Sequence, residues 1–298
     1  MNDPLSDIFA LLKPVVIQAK LSEASGSFRV RREDVKDIYY CMVLEGTICF
    51  DVDGLEPQVL QAGDFALLPS SNFYTVSSYP PPKDSSLLTY PRLDDDGIYR
   101  LGTGDTPLRA KQLLGYCSFS NPDELLLSIL PKMLVVRGES RLMTLGSMIR
   151  DELFSKRPAY HAMTKHLLRA LLIEAFRSTP KLGVETGLLN GLSDHHIGLA
   201  LNAIHNNPEL DWTVAKLASE VGMSRSSLFS KFGRLVGIAP MEYLFNWRML
   251  LATDRLKGTT MSVEEIALQI GYSSSSAFST AFTRCYNTSP SAYRSENQ

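Results

Sequence analysis

The sequence predicts an α+β chain of two domains: a β-barrel with following helices, then an all-α domain built from two helix-turn-helix units. Three observations predict it. The 298 residues exceed what one hydrophobic core ordinarily organises, about 150 residues per domain being usual. Short β-type runs separated by turn dipeptides fill the chain to about Ser120, after which the hydrophobic period becomes helical. The last hundred or so residues repeat one pattern of apolar and punctuating positions.

Composition narrows the class. Hydrophobic residues at 44% and charged residues at 21% are the balance of a globular protein, which excludes a disordered or fibrous chain. Met1 to Lys20 carries Asp3, Asp7, Pro4 and Pro14, so the basic-then-apolar pattern of a secretory signal is missing. No apolar run is long enough to span a bilayer, and no membrane partner is expected. Cys41, Cys49, Cys117 and Cys285 are scattered without a CxxC pair, which fits a reducing cytoplasm better than a disulfide scaffold. The net charge of −2 gives no global signal for nucleic acid, so any such signal must be local.

The barrel elements follow from alternation and turn chemistry. Ile38 to Leu44 reads as a strand, Glu45-Gly46 as a turn, and Thr47 to Val52 as the next strand. Asp53-Gly54 offers a hairpin turn, and Gly63-Asp64 leads into the strand Phe65 to Leu68, stopped by Pro69. The segments Tyr79 to Lys83 and Asp94 to Gly97 are loops, since prolines and clustered aspartates do not join a central ladder. The result is a small antiparallel barrel or sandwich.

Two helices follow between Glu139 and Arg177, with Leu142, Leu145, Ile149 and Leu153 on one face and Met163, Leu167, Leu171 and Ala175 on the other's. Pro180, Gly183, Gly187 and Gly191 mark a linker over 179–193. The expected domains are therefore 1–178 and 194–298.

Within the second domain Leu217, Ala218, Val221 and Gly222 match Ile266, Ala267, Ile270 and Gly271 at an offset of 49 residues. Phe232, Gly237, Pro240 and Tyr243 match Phe282, Asn287, Pro290 and Tyr293 at an offset of 50. Asn in place of Gly is sensible, because both tolerate the left-handed backbone common after a helix. Each repeat has the anatomy of a helix-turn-helix: a short helix, a glycine, and a second helix opened by a serine cap. Thr213 and Ser224 are the expected caps of the first unit, with Ser262, Glu265 and Ser274 punctuating the second. Pro240 to Lys257 reads as one connecting helix with Tyr243, Trp247, Leu250 and Leu251 inward. Such a connector would let the two second helices enter successive major-groove faces, about 34 Å apart.

The second helix of the first unit presents Ser224, Arg225, Ser226, Phe229, Ser230 and Lys231 as outward candidates for DNA contact. The corresponding helix of the second unit offers Ser275, Ser276, Ser279 and Thr280, with Arg284 placed for a phosphate. Small hydroxyls discriminate bases poorly, so this unit is expected to position more than to read.

These residues carry a family resemblance. Trp212 to Ala218, Gly222 to Ser226, Pro240 to Leu244, Trp247-Arg248-Met249, Gly271-Tyr272, Ala277-Phe278 and Pro290 to Arg294 resemble the DNA-binding domain of AraC/XylS-type regulators over roughly Asp194 to Arg294. Thr280 and Thr283 depart from the Arg or Lys often found in that family's second recognition helix. Tyr40 to Gly46 and Leu60 to Pro69 are similar to the two signature strands of the cupin-like sensor domain attached to many such regulators. The resemblance implies an α+β multidomain fold, with an N-terminal cupin-like β-barrel and following helices and a C-terminal all-α tandem helix-turn-helix domain. It implies promoter DNA as partner, a small-molecule effector, a homodimer formed through the helices after the barrel, and RNA polymerase as a further partner of an activator. An effector would enter the barrel near Cys41, Phe65, Phe73 and Tyr74.

Two other readings compete. A metal-dependent cupin enzyme needs a histidine cluster, but His161, His166, His195, His196 and His205 all lie beyond the barrel, and Cys41 and Tyr74 stand where metal cupins supply His. No catalytic residue, metal or cofactor is therefore expected. Redox control through Cys41 or Cys117 would need a neighbouring cation or a paired cysteine, and neither thiol has one nearby in sequence.

Overall fold

The computed structural model describes residues 3–33, 37–69, 73–102, 106–119, 132–178 and 187–297. The described residues of Pro14–Ser120 and Pro131–Leu182 form a barrel unit, and those of Met1–Lys13 and Gly183–Gln298 a helical unit.

The barrel unit contains β1 (Pro14–Ser25), β2 (Arg29–Glu33), β3 (Ile38–Val52), β4 (Gln58–Gln61), β5 (Phe65–Leu68), β6 (Phe73–Ser78), β7 (Arg92–Leu93), β8 (Tyr99–Leu101), β9 (Leu108–Phe119) and β10 (Leu134–Val136). One path runs β10-β5-β3-β9-β1-β8-β7, with β4 and β6 added on β3 and β2 on β6. The pairings are antiparallel except β1 with β8, which is parallel. β3 holds the barrel together: its first half pairs with β5 and β9, its second with β4 and β6.

The expected turn at Glu45-Gly46 is instead strand: β3 runs on through it, with a bulge just before it between Val43 and Glu45. Only glycine fits at position 46, since Gly46 has φ +80 and a Cβ there would sit 1.9 Å from the Arg109 carbonyl oxygen. The bulge shifts the phase of the strand. Tyr39, Cys41 and Val43 face the barrel core before it, and Ile48, Phe50 and Val52 after it. The other face of β3 is covered as well, for Met42 Sδ lies 2.3 Å from where a Cβ on Gly146 would be. Burial on both faces explains why the first half of β3 reads as a continuous apolar run rather than an alternating one. Asp53-Gly54 and Gly63-Asp64 turn as expected, with Gly54 and Gly63 at positive φ.

Helices α2 (Ser140–Ser155) and α3 (Tyr160–Ser178) pack on each other and on the sheet. Leu142 and Ile149 are buried, as are Leu167, Leu171 and Ala175. Met163 is 48% exposed, off the face assigned to it, because Thr164 and Leu168 take the inward positions.

The helical unit comprises α1 (Pro4–Leu12), α4 (Leu188–Ser193), α5 (His195–Asn206), α6 (Val214–Glu220), α7 (Arg225–Val236), α8 (Pro240–Gly258), α9 (Val263–Gln269), α10 (Ser275–Tyr286) and α11 (Pro290–Asn297). The linker expected over 179–193 is helical in its last part: α4 buries Leu188 and Leu189 and packs on α5 and α7, while 179–186 lie outside the described residues. The chain's first helix, which reads as part of the barrel domain by position, packs on α5 and α8. Asp3 caps α1 by accepting from the Ser6 N–H, and Lys13 bonds Asp254 of α8 at 2.8 Å.

A buried histidine secures this packing. His205 of α5 stacks on Trp247 at 3.7 Å between ring centroids, with Nε2 2.7 Å from the Tyr243 hydroxyl and Nδ1 3.3 Å from Asp7 Oδ2 of α1. Burial is the largest influence on His205 and lowers its pKa, outweighing the raising effects of Asp7 and Asp3. The neutral ring is fully used when Nδ1–H donates to Asp7 and Nε2 accepts from Tyr243, whose own hydroxyl is held protonated by burial. Between the two pKa values the unfolded chain binds the proton that the folded one refuses, so stability is full above about pH 6.5 and falls as pH drops below it. Thermal melts from pH 7.5 to 5.5 should show the helical unit losing stability, and His205→Gln should flatten that slope; an unchanged slope would place the titrating group elsewhere.

Candidate functional site

The first helix-turn-helix is set by its caps. Thr213 Oγ1 accepts from the Lys216 N–H at 3.1 Å and opens α6. Gly222, at φ +69, makes the turn, and Ser224 Oγ accepts from the Ser227 N–H at 3.2 Å to open α7. Leu228, Phe232 and Val236 point into the core. Ser224, Arg225, Ser226, Phe229 and Ser230 are exposed, Phe229 by 53%, which is unusual for a ring that a monomer has no reason to hydrate.

Lys231 departs from the expectation. Its Nζ is 2.7 Å from Asp194 Oδ2, and Asp194 also caps α5 by accepting from the Ile197 N–H. The ammonium is committed to a partly buried ion pair that ties α7 to α5, so it is a positioning group. Arg234 takes the outward place instead: it is exposed and lies one turn beyond Ser230 on the same face. The spacing Ser226, Ser230, Arg234 could have revealed it.

The second unit repeats the construction. Ser262 and Glu265 form a reciprocal capping box at 3.1 and 2.7 Å, and Ser274 Oγ accepts from the Ala277 N–H at 3.1 Å to open α10. Phe278 and Phe282 are fully buried, whereas Ser276, Thr280, Thr283 and Arg284 are exposed and Ser275 and Ser279 half-buried. Thr280 donates its hydroxyl to the Ser276 carbonyl at 3.0 Å, which leaves only its acceptor capacity outward. Asn287 has φ 56 where Gly237 has φ 95, the left-handed pair that the repeat called for.

Between the units, the 19 residues of α8 rise about 28 Å. The helix is buried around most of its circumference: Tyr243 meets Phe232 of the first unit at 5.8 Å, and Met249, Ala252 and Leu256 pack with Ile266, Ile270, Phe278 and Phe282 of the second.

A cavity of about 320 Å³ opens among β1, β2, β3, β6, β8 and β9. Its floor is aromatic, Tyr39 stacking on Tyr74 at 4.5 Å and lying 5.6 Å from Tyr116. Of the four barrel residues singled out from sequence, Tyr74 alone lines it. Cys41 is buried beneath, its Sγ 3.4 Å from Gln112 Oε1; Phe65 is fully buried on β5 beside Met42; Phe73 lies at an edge under the Arg31 guanidinium, 4.4 Å away. Sequence reasoning missed Tyr39, Gln112 and Tyr116, which strand alternation marks as one-sided without saying which side. Among the described residues no three His, Cys, Asp or Glu side chains are grouped to hold a metal, and no helix is long and apolar enough to cross a membrane.

Comparison with known proteins places this architecture. Residues 217–296 match the helix-turn-helix domain family and residues 3–180 the cupin family. An AraC-like transcription regulator of Streptomyces lividans is 33% identical over 301 residues, covering 98% of both chains. The chain belongs to the AraC-like transcription regulators. A second relative of this AraC-like regulator, AlkR of Acinetobacter baylyi, is 37% identical over 141 residues, 47% of this chain and 46% of that one. The DNA-binding domain of AdpA, solved in complex with a target DNA, is 33% identical and covers 35% of this chain and 93% of that chain, with a TM-score of 0.33.

The thiols of the AraC-like chain bear on the redox alternative. Cys41 and Cys117 are fully buried, and burial pushes each thiol up to about 12, so neither supplies thiolate at neutral pH. Native protein treated with a thiol reagent at pH 7 should label Cys285 first and leave Cys41 and Cys117 until unfolding. Fast labelling of either would reopen redox control.

Proposed function

We propose that this regulator reads promoter DNA with α7 and α10 and that a small molecule in the barrel cavity biases that binding. The observation that carries the reading is the pair of capped helices, each with a buried aromatic face and an exposed hydroxyl and guanidinium face, mounted at the two ends of one buried connector. In the first helix Arg225, Ser226, Phe229, Ser230 and Arg234 are the contact residues; in the second Ser276, Thr280 and Arg284, with Ser275 and Ser279 at the margin. Arg225 and Arg234 are the strongest base or phosphate partners, whereas the second helix has hydroxyls that fix register. Ligand in the barrel shifts DNA affinity only as far as its own affinity differs between the two arrangements of the protein.

Three further parts of the reading follow. Met148, Phe154 and Met163 are 48%, 56% and 48% exposed on α2 and α3, and they supply apolar surface for a homodimer. The chain works in the cytoplasm, where its DNA is. An activating role would bring RNA polymerase as a partner.

Genome-fragment selection with purified protein at fixed salt, followed by titration of the recovered site, tests the reading. A discrete site is expected, with Arg225→Ala or Arg234→Ala weakening it by about 1–3 kcal/mol. Lys231→Ala should lower thermal stability while leaving the salt slope of binding unchanged, because its charge is already paired. No discrete site, or one indifferent to both arginines, would contradict the assignment.

A further inference from the structure

The geometry points to a small aromatic carboxylate as the molecule that the barrel cavity takes; this rests on the sensing role proposed above and specifies its chemistry. Size comes first. At about 320 Å³ the cavity lies at the small end of the range for ligand sites, roughly 300–1,000 Å³, which suits one ring or two fused rings with a short substituent.

Its walls favour a flat ring. The Tyr39 ring centroid lies 4.5 Å from that of Tyr74 and 5.6 Å from that of Tyr116, and Tyr99 also lines the cavity, with the Lys20 ammonium 4.5 Å from its ring centroid. Tyr90 at the rim is 77% exposed, a large ring left in water beside an apolar opening. Offset-stacked and edge-on aromatic contacts gain over aliphatic ones of the same area.

Its polar groups favour an acceptor with negative charge. Lys20 and Arg32 both line the cavity, no carboxylate does so among the described residues, and neither cation forms an ion pair there. Gln112 is 1% exposed; its Oε1 takes the Cys41 thiol, while its Nε2 is buried on the cavity wall with no hydrogen-bond partner. A buried amide N–H₂ left without an acceptor is destabilising, and a ligand oxygen within reach of it would supply the missing partner. The hydroxyls of Tyr74 and Tyr116 share one hydrogen bond at 3.3 Å, which leaves one O–H free to donate, and burial keeps that of Tyr74 protonated. Donors and cations thus converge on a space walled by the tyrosine rings together with Val30, Val76, Leu101 and Leu114, as a carboxylate attached to a flat apolar body requires.

Calorimetric titration of the full chain with 4-hydroxybenzoate, cyclohexanecarboxylate and 4-hydroxybenzamide separates the two requirements. Saturable binding of the first is expected, with the other two weaker by about tenfold or more. Arg32→Gln, at a half-exposed strand position that can change without unfolding the barrel, should cost the acid about tenfold and leave the amide unchanged, which a general packing defect would not do. Gln112→Leu should weaken both acid and amide, and a thermal melt checks that it folds. Equal binding of the cyclohexane acid or of the amide would overturn the aromatic carboxylate while keeping the cavity as a sensor. Binding of none of the three would also overturn it, and the sensing role would then be judged separately, by whether a small-molecule extract of cells shifts affinity for the selected DNA site.

Discussion

Everything in the helical unit depends on one arginine and the helix that carries it. Arg248, midway along α8, donates Nε to the Pro208 carbonyl at 2.8 Å and Nη2 to the Leu210 carbonyl at 2.9 Å, and its guanidinium lies 5.9 Å from the Tyr272 ring in the turn of the second unit. It therefore joins the loop that precedes the first helix-turn-helix to the turn inside the second. Hydrogen bonds from a charged donor contribute about 1.5–3 kcal/mol each, and a planar fork reaching two carbonyls cannot be replaced by a lysine. The approach is tight enough that a Cβ on Gly271 would sit 2.5 Å from Nη2, so the glycine that makes the second turn also admits the clasp. One residue earlier, Trp247 stacks on His205, and one turn earlier Tyr243 closes the network to α1. At the far end Arg294 of α11 bonds the Leu256 and Met261 carbonyls. Two small helical units that could each bury little alone become one body because the connector is core to both.

The barrel has a comparable dependence on β3. A strand that serves two layers must change which residues face inward, and the bulge between Val43 and Glu45 makes that change. Without it Ile48, Phe50 and Val52 would turn away from the core that Tyr39, Cys41 and Val43 begin. The same strand supplies Tyr39 to the cavity and Cys41 to the group beneath Gln112, so the chemistry of the cavity is placed by the fold's most constrained element.

Local chemistry was legible in the amino-acid sequence, and partnerships across the chain were not. The caps Thr213, Ser224, Ser262 and Ser274 and the left-handed Gly237 and Asn287 are decided within a few residues, and each appears where turn and cap rules place it. Lys231 looked outward because nothing near it in sequence is acidic; its partner Asp194 arrives through the fold. Glu45-Gly46 has the composition of a turn, and only pairing with Lys111 and Ala110 across the sheet shows that it is strand. The cavity fared worst. Alternation says that Tyr39 and Tyr40 face opposite ways, but both faces of β3 are buried, so pattern alone could not tell lining from packing. For α1, sequence position gave no sign of its partners: its buried Ile8, Phe9, Leu11 and Leu12 lie on a helix that packs with α5 and α8.

In the proposed reading, one connector makes α7 and α10 a single reader of one face of DNA. Hydroxyl-radical footprinting on the selected site tests it most directly, with a second template in which about half a helical turn, five base pairs, is inserted between the protected segments. Two protected segments about one turn apart are expected, and the insertion should abolish the second while leaving the first. Two segments that both survive the insertion would show that the units bind independently, and protection of a single segment would show that only one unit reads DNA; either result would contradict the account.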